Sequence, residues 1–218
     1  VAFSKVLTES NTAHKSVPML MSDITACNFD SIYHQKGIIT AFKEAGYQTA
    51  FFSNQRYNHS FIDFFGKEAD TFDFIKEDSL DSAYNPSDDE LLALVAKELS
   101  KGNQKQFIVL HTYGSHFNYR ERYPSEDAFF LPDYPVEAEV KYRDNLVNAY
   151  DNTIRYTDSF LSRLIHMLEE QHVDAAMLYT SDHGEDIFDD SRHLFLHASP
   201  VPSYYQLHVP FLIWMSDT

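Results

Sequence analysis

Two short apolar runs that each end in histidine-containing polar residues constrain the fold of this chain most. Gln106–Leu110 is followed by His111, and Ala175–Tyr179 is followed by the segment Ser181-Asp182-His183-Gly184-Glu185. Short apolar runs bounded by polar residues and glycine are typical of buried strands. Open α/β sheets keep their ligands at the carboxyl ends of the strands. We therefore expect the polar residues that follow these runs to form the functional site.

Segments with helical and strand-like spacing alternate along the rest of the chain. His34–Ala45 has helical spacing, and the strand-like run Tyr47–Asn54 follows it. Further helices are expected from about Asn85 to Gly102 and from about Val140 to Gln171, and a last strand is expected at Val209–Met215. This order predicts an α/β protein with a mostly parallel sheet flanked by helices.

The first 21 residues combine a strand, a polar turn and a helix. Val1–Leu7 alternates loosely like a strand, Thr8–Thr12 is a turn rich in hydroxyl groups, and Ser16–Met21 suggests a helix with Pro18 in its first turn. Hydroxyls at such a place can bind a phosphoryl group or act as a nucleophile. They can also simply cap the helix, and the local sequence leaves both interpretations open.

The charge and hydropathy of the chain exclude some classes of protein. A net charge of −16 disfavours binding to nucleic acid or to an anionic membrane through a basic surface. It leaves a phosphate-handling site possible, because bound cations reverse the potential locally. No apolar run approaches the roughly 20 residues needed to span a bilayer.

Histidine and aspartate recur at the expected strand ends. His111 and His116 lie five residues apart after one strand, and Asp182 and His183 follow the other. Imidazole and carboxylate groups are the usual ligands of zinc, so this repetition favours a metal or phosphate site over a purely structural role. His197 can join Asp182 if the acidic loop between them folds back.

Taken together, several motifs resemble the phosphoethanolamine transferases, which belong to the alkaline phosphatase and sulfatase superfamily. The resemblance is spread over nearly the whole chain and implies a single sulfatase-like catalytic domain over residues 1–218. The motifs that carry it are Ser16-Val17-Pro18, Leu110–His116 with Arg122-Tyr123-Pro124, Tyr150-Asp151-Asn152-Thr153, Ser181–Glu185, Leu196-His197 and His208-Val209-Pro210.

The resemblance implies a metal-dependent transferase. Such a domain lies at the periplasmic face of the bacterial inner membrane, tethered by a membrane region that is absent from this chain. It moves phosphoethanolamine from a phosphatidylethanolamine-type donor to a cell-envelope glycolipid of the lipopolysaccharide or lipid A type, through a phosphothreonine intermediate.

The resemblance also implies roles for individual residues. Asp182, His183 and a nucleophilic threonine would hold zinc together with an upstream acid, and the best match for that threonine is Thr12. His116 and His197 would contact the phosphoryl group or a second zinc ion. His111 would be a further substrate-binding residue. Thr12 and His116 are therefore the expected catalytic residues.

Three departures from the family pattern qualify these roles. The chain begins after the family's first strand and upstream acid and stops soon after Trp214, so we expect a fragment truncated at both ends. The cysteines of the lipid A enzymes are also missing. Finally, counting back without a gap from Ser16-Val17-Pro18 puts Ala13 at the threonine position. Thr12 is then the preferred nucleophile, with Ser10 a more distant choice.

Two other functions remain open from the sequence. A sulfatase-like phosphodiesterase or other hydrolase would use water as the acceptor. The Cys/Ser-x-Pro-x-Arg context of formylglycine sulfatases is absent from the chain. A non-catalytic relative would have lost its nucleophile at Ala13 and kept only a phosphate-binding pocket.

Overall fold

The computed structural model describes residues 1–76, 86–102, 105–134 and 137–217. The chain forms two compact units. Unit 1 comprises Val1–Ala13 and Gly114–Thr218, and unit 2 comprises His14–Tyr113. The single catalytic domain expected over residues 1–218 stays a prediction.

The helices and strands follow one another in the order that the sequence suggests. In chain order they are β1 (Ala2–Leu7), α1 (Ala13–Met21), α2 (Ile38–Glu44), β2 (Gln48–Ser53), α3 (Phe61–Gly66), β3 (Thr71–Phe74), α4 (Glu90–Leu99), β4 (Gln106–His111), α5 (Arg143–Glu169), β5 (Ala176–Thr180), β6 (Asp186–Ile187), β7 (Phe195–Leu196), α6 (Tyr204–Leu207) and β8 (His208–Met215). Short 3₁₀ helices occupy Phe29–His34, Tyr119–Glu121, Ser125–Asp127 and Val140–Tyr142.

Unit 2 contains the predicted parallel sheet. Its strand order is β3-β2-β4, with Ala50 of the central strand level with Thr71 on one side and Ile108 on the other. Phe51 and Phe52 are buried because both faces of a central parallel strand are covered. The sequence reading missed α3 and β3. Both lie within residues 56–76, a segment rich in phenylalanine.

Unit 1 contains a three-stranded sheet of order β1-β8-β5 in which both pairings are antiparallel. Thr180, the last residue of β5, is level with Phe211 near the start of β8. The chain between these two strands returns to the same edge of the sheet, and this forces β8 to run back along β5. The α/β class is as predicted, whereas the parallel arrangement holds for the sheet of unit 2.

The long helix of unit 1 follows the predicted amphipathic pattern. α5 has 27 residues and buries Leu146, Ala149, Phe160 and Leu164 along one side. Such a stripe packs one face of a helix on a core and leaves the other face in water. Among the described residues, no helix combines the length and apolar character that crossing a bilayer requires.

Helix starts differ from the sequence reading at several places. α2 begins at Ile38, four residues later than expected, and a 3₁₀ helix covers the expected start of α5 at Val140. α1 begins at Ala13, so Pro18 is its sixth residue and lies outside the first turn. α4 begins at Glu90, later than expected, and Asn85 lies outside the described residues.

Candidate active site

Three histidines meet at one place in unit 1. The ring centroids of His183 and His197 are 4.3 Å apart, and those of His116 and His197 are 5.7 Å apart. His183 follows β5, and His197 follows β7. The expectation that β5 is a buried strand is wrong, because its residues are partly or fully exposed, with Leu178 61% exposed. The prediction that the loop after Glu185 folds back toward the Asp182 segment is therefore confirmed.

A two-stranded hairpin explains how His197 reaches this place. β6 and β7 pair antiparallel, with Asp186 level with Leu196. One step beyond that pair, Glu185 and His197 lie side by side. Glu185 Oε1 is 3.0 Å from Nδ1 of His197. This hydrogen bond and the negative charge of Glu185 raise the pKa of His197.

Glu185 is a candidate site residue to which the sequence analysis gave no role. His183, Glu185 and His197 each offer one ligand atom, and these atoms lie within 4.8 Å of one another. The signal was present in the sequence, because Glu185 closes the Asp182-His183-Gly184-Glu185 segment. The hairpin pairing that makes it a partner of His197 could not be read from that segment alone.

Asp182 and His183 present ligand atoms to the same point. His183 Nδ1 donates a hydrogen bond to the carbonyl oxygen of Gly184 at 3.0 Å, so the lone pair of the neutral ring lies on Nε2. That Nε2 is 3.5 Å from Oδ2 of Asp182. The side chain of His183 is only 8% exposed and that of Asp182 is 27% exposed. The pair can therefore bind one ion from a partly open position.

The other two predicted histidines differ in their setting. His116 is exposed, and its Nδ1 donates to the carbonyl oxygen of Phe117 at 2.5 Å, which places the lone pair of the neutral ring on Nε2. His111 belongs to unit 2, where its Nδ1 is 2.9 Å from the hydroxyl of Ser53. The substrate-binding role of His111 stays a prediction.

Thr12 lies directly before the first residue of α1, and Ala13 is that first residue. The hydroxyls of Ser10 and Thr12 are 3.2 Å apart, and the Thr12 amide donates to Ser10 Oγ at 3.3 Å. The neighbouring Asn11 is hydrogen-bonded to the loop after His197, because its carbonyl oxygen accepts from the Ala198 amide at 3.1 Å. The nucleophile candidate and His197 are thus carried by two segments that are bonded to each other.

The ligand atoms offered by Asp182, His183, Glu185 and His197 fit a zinc ion. Nitrogen ligands from histidine and oxygen ligands from carboxylates are the combination that zinc takes in catalytic sites. Glu185 Oε2 is also buried, and it has no hydrogen-bond partner among the described residues. A buried carboxylate oxygen without a donor is costly unless a cation is near.

Two further buried groups surround Glu185. Asp186 is fully buried, and its Oδ2 accepts a hydrogen bond from Ser203 at 2.7 Å. Burial raises the pKa of this carboxyl, and the negative charges of Asp189 and Asp190 raise it further. Burial and the negative charge of Glu185 likewise raise the pKa of Tyr119.

The comparisons with known proteins cover the whole chain. The sulfatase family model matches residues 1–218. The Kdo(2)-lipid A phosphoethanolamine 7''-transferase of Escherichia coli (strain K12) is 36% identical over 134 residues, which are 59% of this chain and 23% of that protein. The phosphoethanolamine transferase EptC of the same strain is 24% identical over 226 residues, which are 99% of this chain and 38% of that protein. The chain thus spans between about a quarter and two fifths of the length of these two curated relatives.

The fold is also that of solved structures. The C-terminal periplasmic domain of the phosphoethanolamine transferase EptC from Campylobacter jejuni has a TM-score of 0.87 and 28% identity, and the match covers 100% of this chain and 68% of that one. The corresponding domain of EcEptC from Escherichia coli, solved as a complex with zinc, has a TM-score of 0.88 and 23% identity, with 99% of this chain and 62% of that one covered. The predicted α/β fold of the sulfatase type is confirmed.

Proposed function

Because this chain belongs to the sulfatase family, we propose that it is the catalytic part of a phosphoethanolamine transferase. The observation that carries the proposal is the convergence of His116, His183 and His197 in unit 1. Relatives that are up to 38% identical over the aligned part of this chain are phosphoethanolamine transferases by name. The donor is a phosphatidylethanolamine-type phospholipid and the acceptor is a cell-envelope glycolipid such as lipid A.

The first half-reaction transfers the group to the protein. Thr12 Oγ1 forms a bond to phosphorus while the bond from phosphorus to the diacylglycerol oxygen breaks. The hydroxyl proton of Thr12 ends on that diacylglycerol oxygen, and His116 moves it, because the lone pair on Nε2 can accept and return a proton. Thr12 is preferred over Ala13 because an alanine has no atom that can accept a phosphoryl group.

The second half-reaction regenerates Thr12. An oxygen of the glycolipid attacks phosphorus and releases the threonine oxygen, and the proton of the acceptor returns to Thr12. Water in place of the glycolipid would give the hydrolase alternative. His197 would bind the phosphoryl oxygens, and its raised pKa would favour a negatively charged ligand.

Zinc completes the proposal. Asp182 and His183 would hold it with Thr12, and zinc supplies positive charge that lowers the pKa of a ligating hydroxyl and neutralises phosphoryl oxygens. Glu185 would act on His197 from the outer side, as carboxylates do on the histidines of zinc sites. The place of action would be the periplasmic face of the bacterial inner membrane, reached through a membrane region.

Phosphothreonine mapping tests the proposal. The full-length protein is incubated with phosphatidylethanolamine in the absence of acceptor, and its peptides are analysed by mass spectrometry. We expect a phosphoethanolamine adduct on Thr12 that disappears in the Thr12→Ala variant. The matched control is Ser10→Ala, which removes the neighbouring hydroxyl and should keep the adduct. An adduct that moves to Ser10 or is absent from the wild type would contradict the proposal.

Metal analysis tests the ligand assignment separately. We expect near-stoichiometric zinc in the wild type and its loss in Asp182→Asn. Glu185→Gln should retain zinc with an affinity that is about 10- to 100-fold weaker, the usual effect of removing an outer partner of a ligand. The reverse order of the two variants would make Glu185 the ligand in place of Asp182.

A further inference from the structure

We propose that Gln206 is a positioning residue that fixes three segments relative to one another. They are the nucleophile segment (residues 10–12), the His197 loop (residues 196–199) and the Asp182-His183 turn (residues 181–184). The expected effect of Gln206 on the transfer rate rests on the proposed function. Its structural role rests only on the hydrogen bonds of unit 1. Gln206 belongs to the four-residue helix α6 and is 0% exposed, although glutamine is a residue type that is mostly exposed in proteins.

The side-chain amide of Gln206 joins two of these segments. Its Nε2 donates to the carbonyl oxygen of Leu196 at 2.9 Å and to the hydroxyl of Ser199 at 2.8 Å. Its Oε1 accepts from Asn11 Nδ2 at 2.7 Å. Both donors of the amide are therefore used on the loop that carries His197, and the oxygen is used on the residue next to Thr12.

The backbone of α6 joins the third segment. The Gly184 amide donates to the carbonyl oxygen of Gln206 at 2.9 Å. A Cβ atom at Gly184 would lie 2.1 Å from the carbonyl oxygen of Tyr205, so the turn after His183 packs directly on this helix. Ser203 caps α6 by accepting from the Gln206 amide at 3.2 Å, and it donates to the buried carboxyl of Asp186.

The backbone of the His197 loop requires such support. Leu196 and Ala198 flank His197 with φ angles of 66° and 65°, a left-handed conformation that is uncommon and costly for residues such as leucine and alanine. The groups that fix it are the Leu196 carbonyl, bonded to Gln206, and the Ala198 amide, bonded to Asn11. Gln206 and Asn11 are bonded to each other, so the loop is held as a unit.

A buried glutamine that merely satisfies its own hydrogen bonds would contact any polar groups at hand. Each polar atom of the Gln206 side chain instead meets a segment that carries a proposed functional residue. Correct placement of reacting groups matters strongly, because a displacement of about 1 Å can cost roughly 100-fold in rate. We therefore infer that Gln206 contributes to the reaction without touching the substrate.

The test compares the same chemical change at two buried amides of unit 1. Gln206→Glu keeps an acceptor for Asn11 and replaces the donor to the Leu196 carbonyl with an oxygen. Asn152 offers the matched control, because its Nδ2 donates to the carbonyl oxygen of Phe130 at 3.0 Å and to the hydroxyl of Tyr123 at 3.2 Å. Asn152→Asp thus removes a donor from a carbonyl and a hydroxyl away from the three segments.

Amide hydrogen exchange on the full-length protein provides a readout that does not depend on activity. In Gln206→Glu we expect exchange at the Ala198 and Gly184 amides to become about 10-fold faster, which corresponds to about one lost hydrogen bond. Exchange at the Phe130 amide should stay unchanged. In Asn152→Asp exchange at the Ala198 and Gly184 amides should stay at the wild-type rate. Exchange that rises equally at both places in both variants would overturn the positioning role.

Single-turnover kinetics provide the functional readout. With phosphatidylethanolamine as donor, Gln206→Glu should lower the maximal rate of Thr12 modification by about 100-fold and leave the half-saturating donor concentration nearly unchanged. Asn152→Asp should keep the rate even where its thermal stability falls as far. An unchanged rate in Gln206→Glu would overturn the inference. A wild type that never modifies Thr12 contradicts the proposed function, and hydrogen exchange then decides the positioning role alone.

Discussion

Glu185 and His197 are bonded across the β6–β7 hairpin, with 3.0 Å between Oε1 and Nδ1. Because Nδ1 faces the carboxylate, Nε2 of His197 is the nitrogen that remains for a phosphoryl group or a metal ion. The same carboxylate raises the pKa of the imidazole. The hairpin thus orients the ring of His197 and raises its pKa.

Glu185→Gln should lower the pKa of His197. The variant keeps a hydrogen-bond acceptor and removes the negative charge, which favours the protonated ring. The pKa of His197 is higher in the folded wild type than in the unfolded chain, so protonation of the ring stabilises the fold. This stabilisation is complete at a pH below the unfolded pKa and is lost as the pH rises through the folded pKa. NMR titration of the imidazole signals in the metal-free protein measures the change. Glu169→Gln, an exposed partner of His166, is the control and should leave His197 unaffected.

Asp186→Asn should reduce the pH dependence of stability. Burial raises the pKa of Asp186, so the folded protein binds this proton more tightly than the unfolded chain does. Its contribution is therefore present below the unfolded pKa and is lost as the pH rises through the folded pKa. We expect the thermal midpoint of the wild type to fall more than that of the variant between about pH 4 and pH 7. If the thermal midpoints of the two proteins changed equally with pH, the raised pKa of Asp186 would be contradicted.

Gly184→Ala should displace the turn that carries Asp182 and His183. The added Cβ would lie 2.1 Å from the backbone oxygen of Tyr205 and 3.2 Å from that of His208, and backbone atoms of this kind cannot rotate away. We expect loss of zinc binding together with a clear fall in the thermal midpoint. Gly46→Asn is the control, since nothing lies within 4 Å of a Cβ there and asparagine tolerates its positive φ. Full zinc content in Gly184→Ala would show that the turn accommodates a side chain.

The placement of several candidate site residues could be predicted from residue types at strand ends. Asp182 and His183 follow β5 directly, and local sequence is enough to place them at a sheet edge. His197 required the further condition that its loop folds back, and the β6–β7 pairing meets that condition. These strands have only two residues each, which is too short to give a recognisable alternation of apolar and polar residues.

The residues that the sequence reading missed act through tertiary hydrogen bonds. Gln206 reads as one polar residue near the last strand, and its role depends on Asn11, almost the whole chain away. The antiparallel pairing of β5 with β8 was missed for a similar reason. An apolar run indicates a buried strand, but the direction of its neighbour depends on the path of the loop between them.

Asn152→Ala should destabilise the protein without altering the transfer chemistry. Asn152 is buried in α5, and its Oδ1 accepts from the amides of Phe129 and Phe130 at 2.9 Å each. Truncation leaves these amides and the Phe130 carbonyl without their partner, and we expect a loss of about 1–3 kcal/mol in the free energy of unfolding.

Urea denaturation measures this loss, and Asn148→Ala is the matched control. Asn148 lies on the same helix but is only partly buried, and its side chain donates to the carbonyl oxygen of Pro132 at 2.9 Å in an exposed hydrogen bond. Its truncation should change stability by less than about 0.5 kcal/mol, as is usual for surface substitutions. Equal losses in the two variants would mean that the segment around Phe129 and Phe130 does not depend on Asn152. A fall in the rate of Thr12 modification beyond the unfolded fraction would instead connect this segment to the active site.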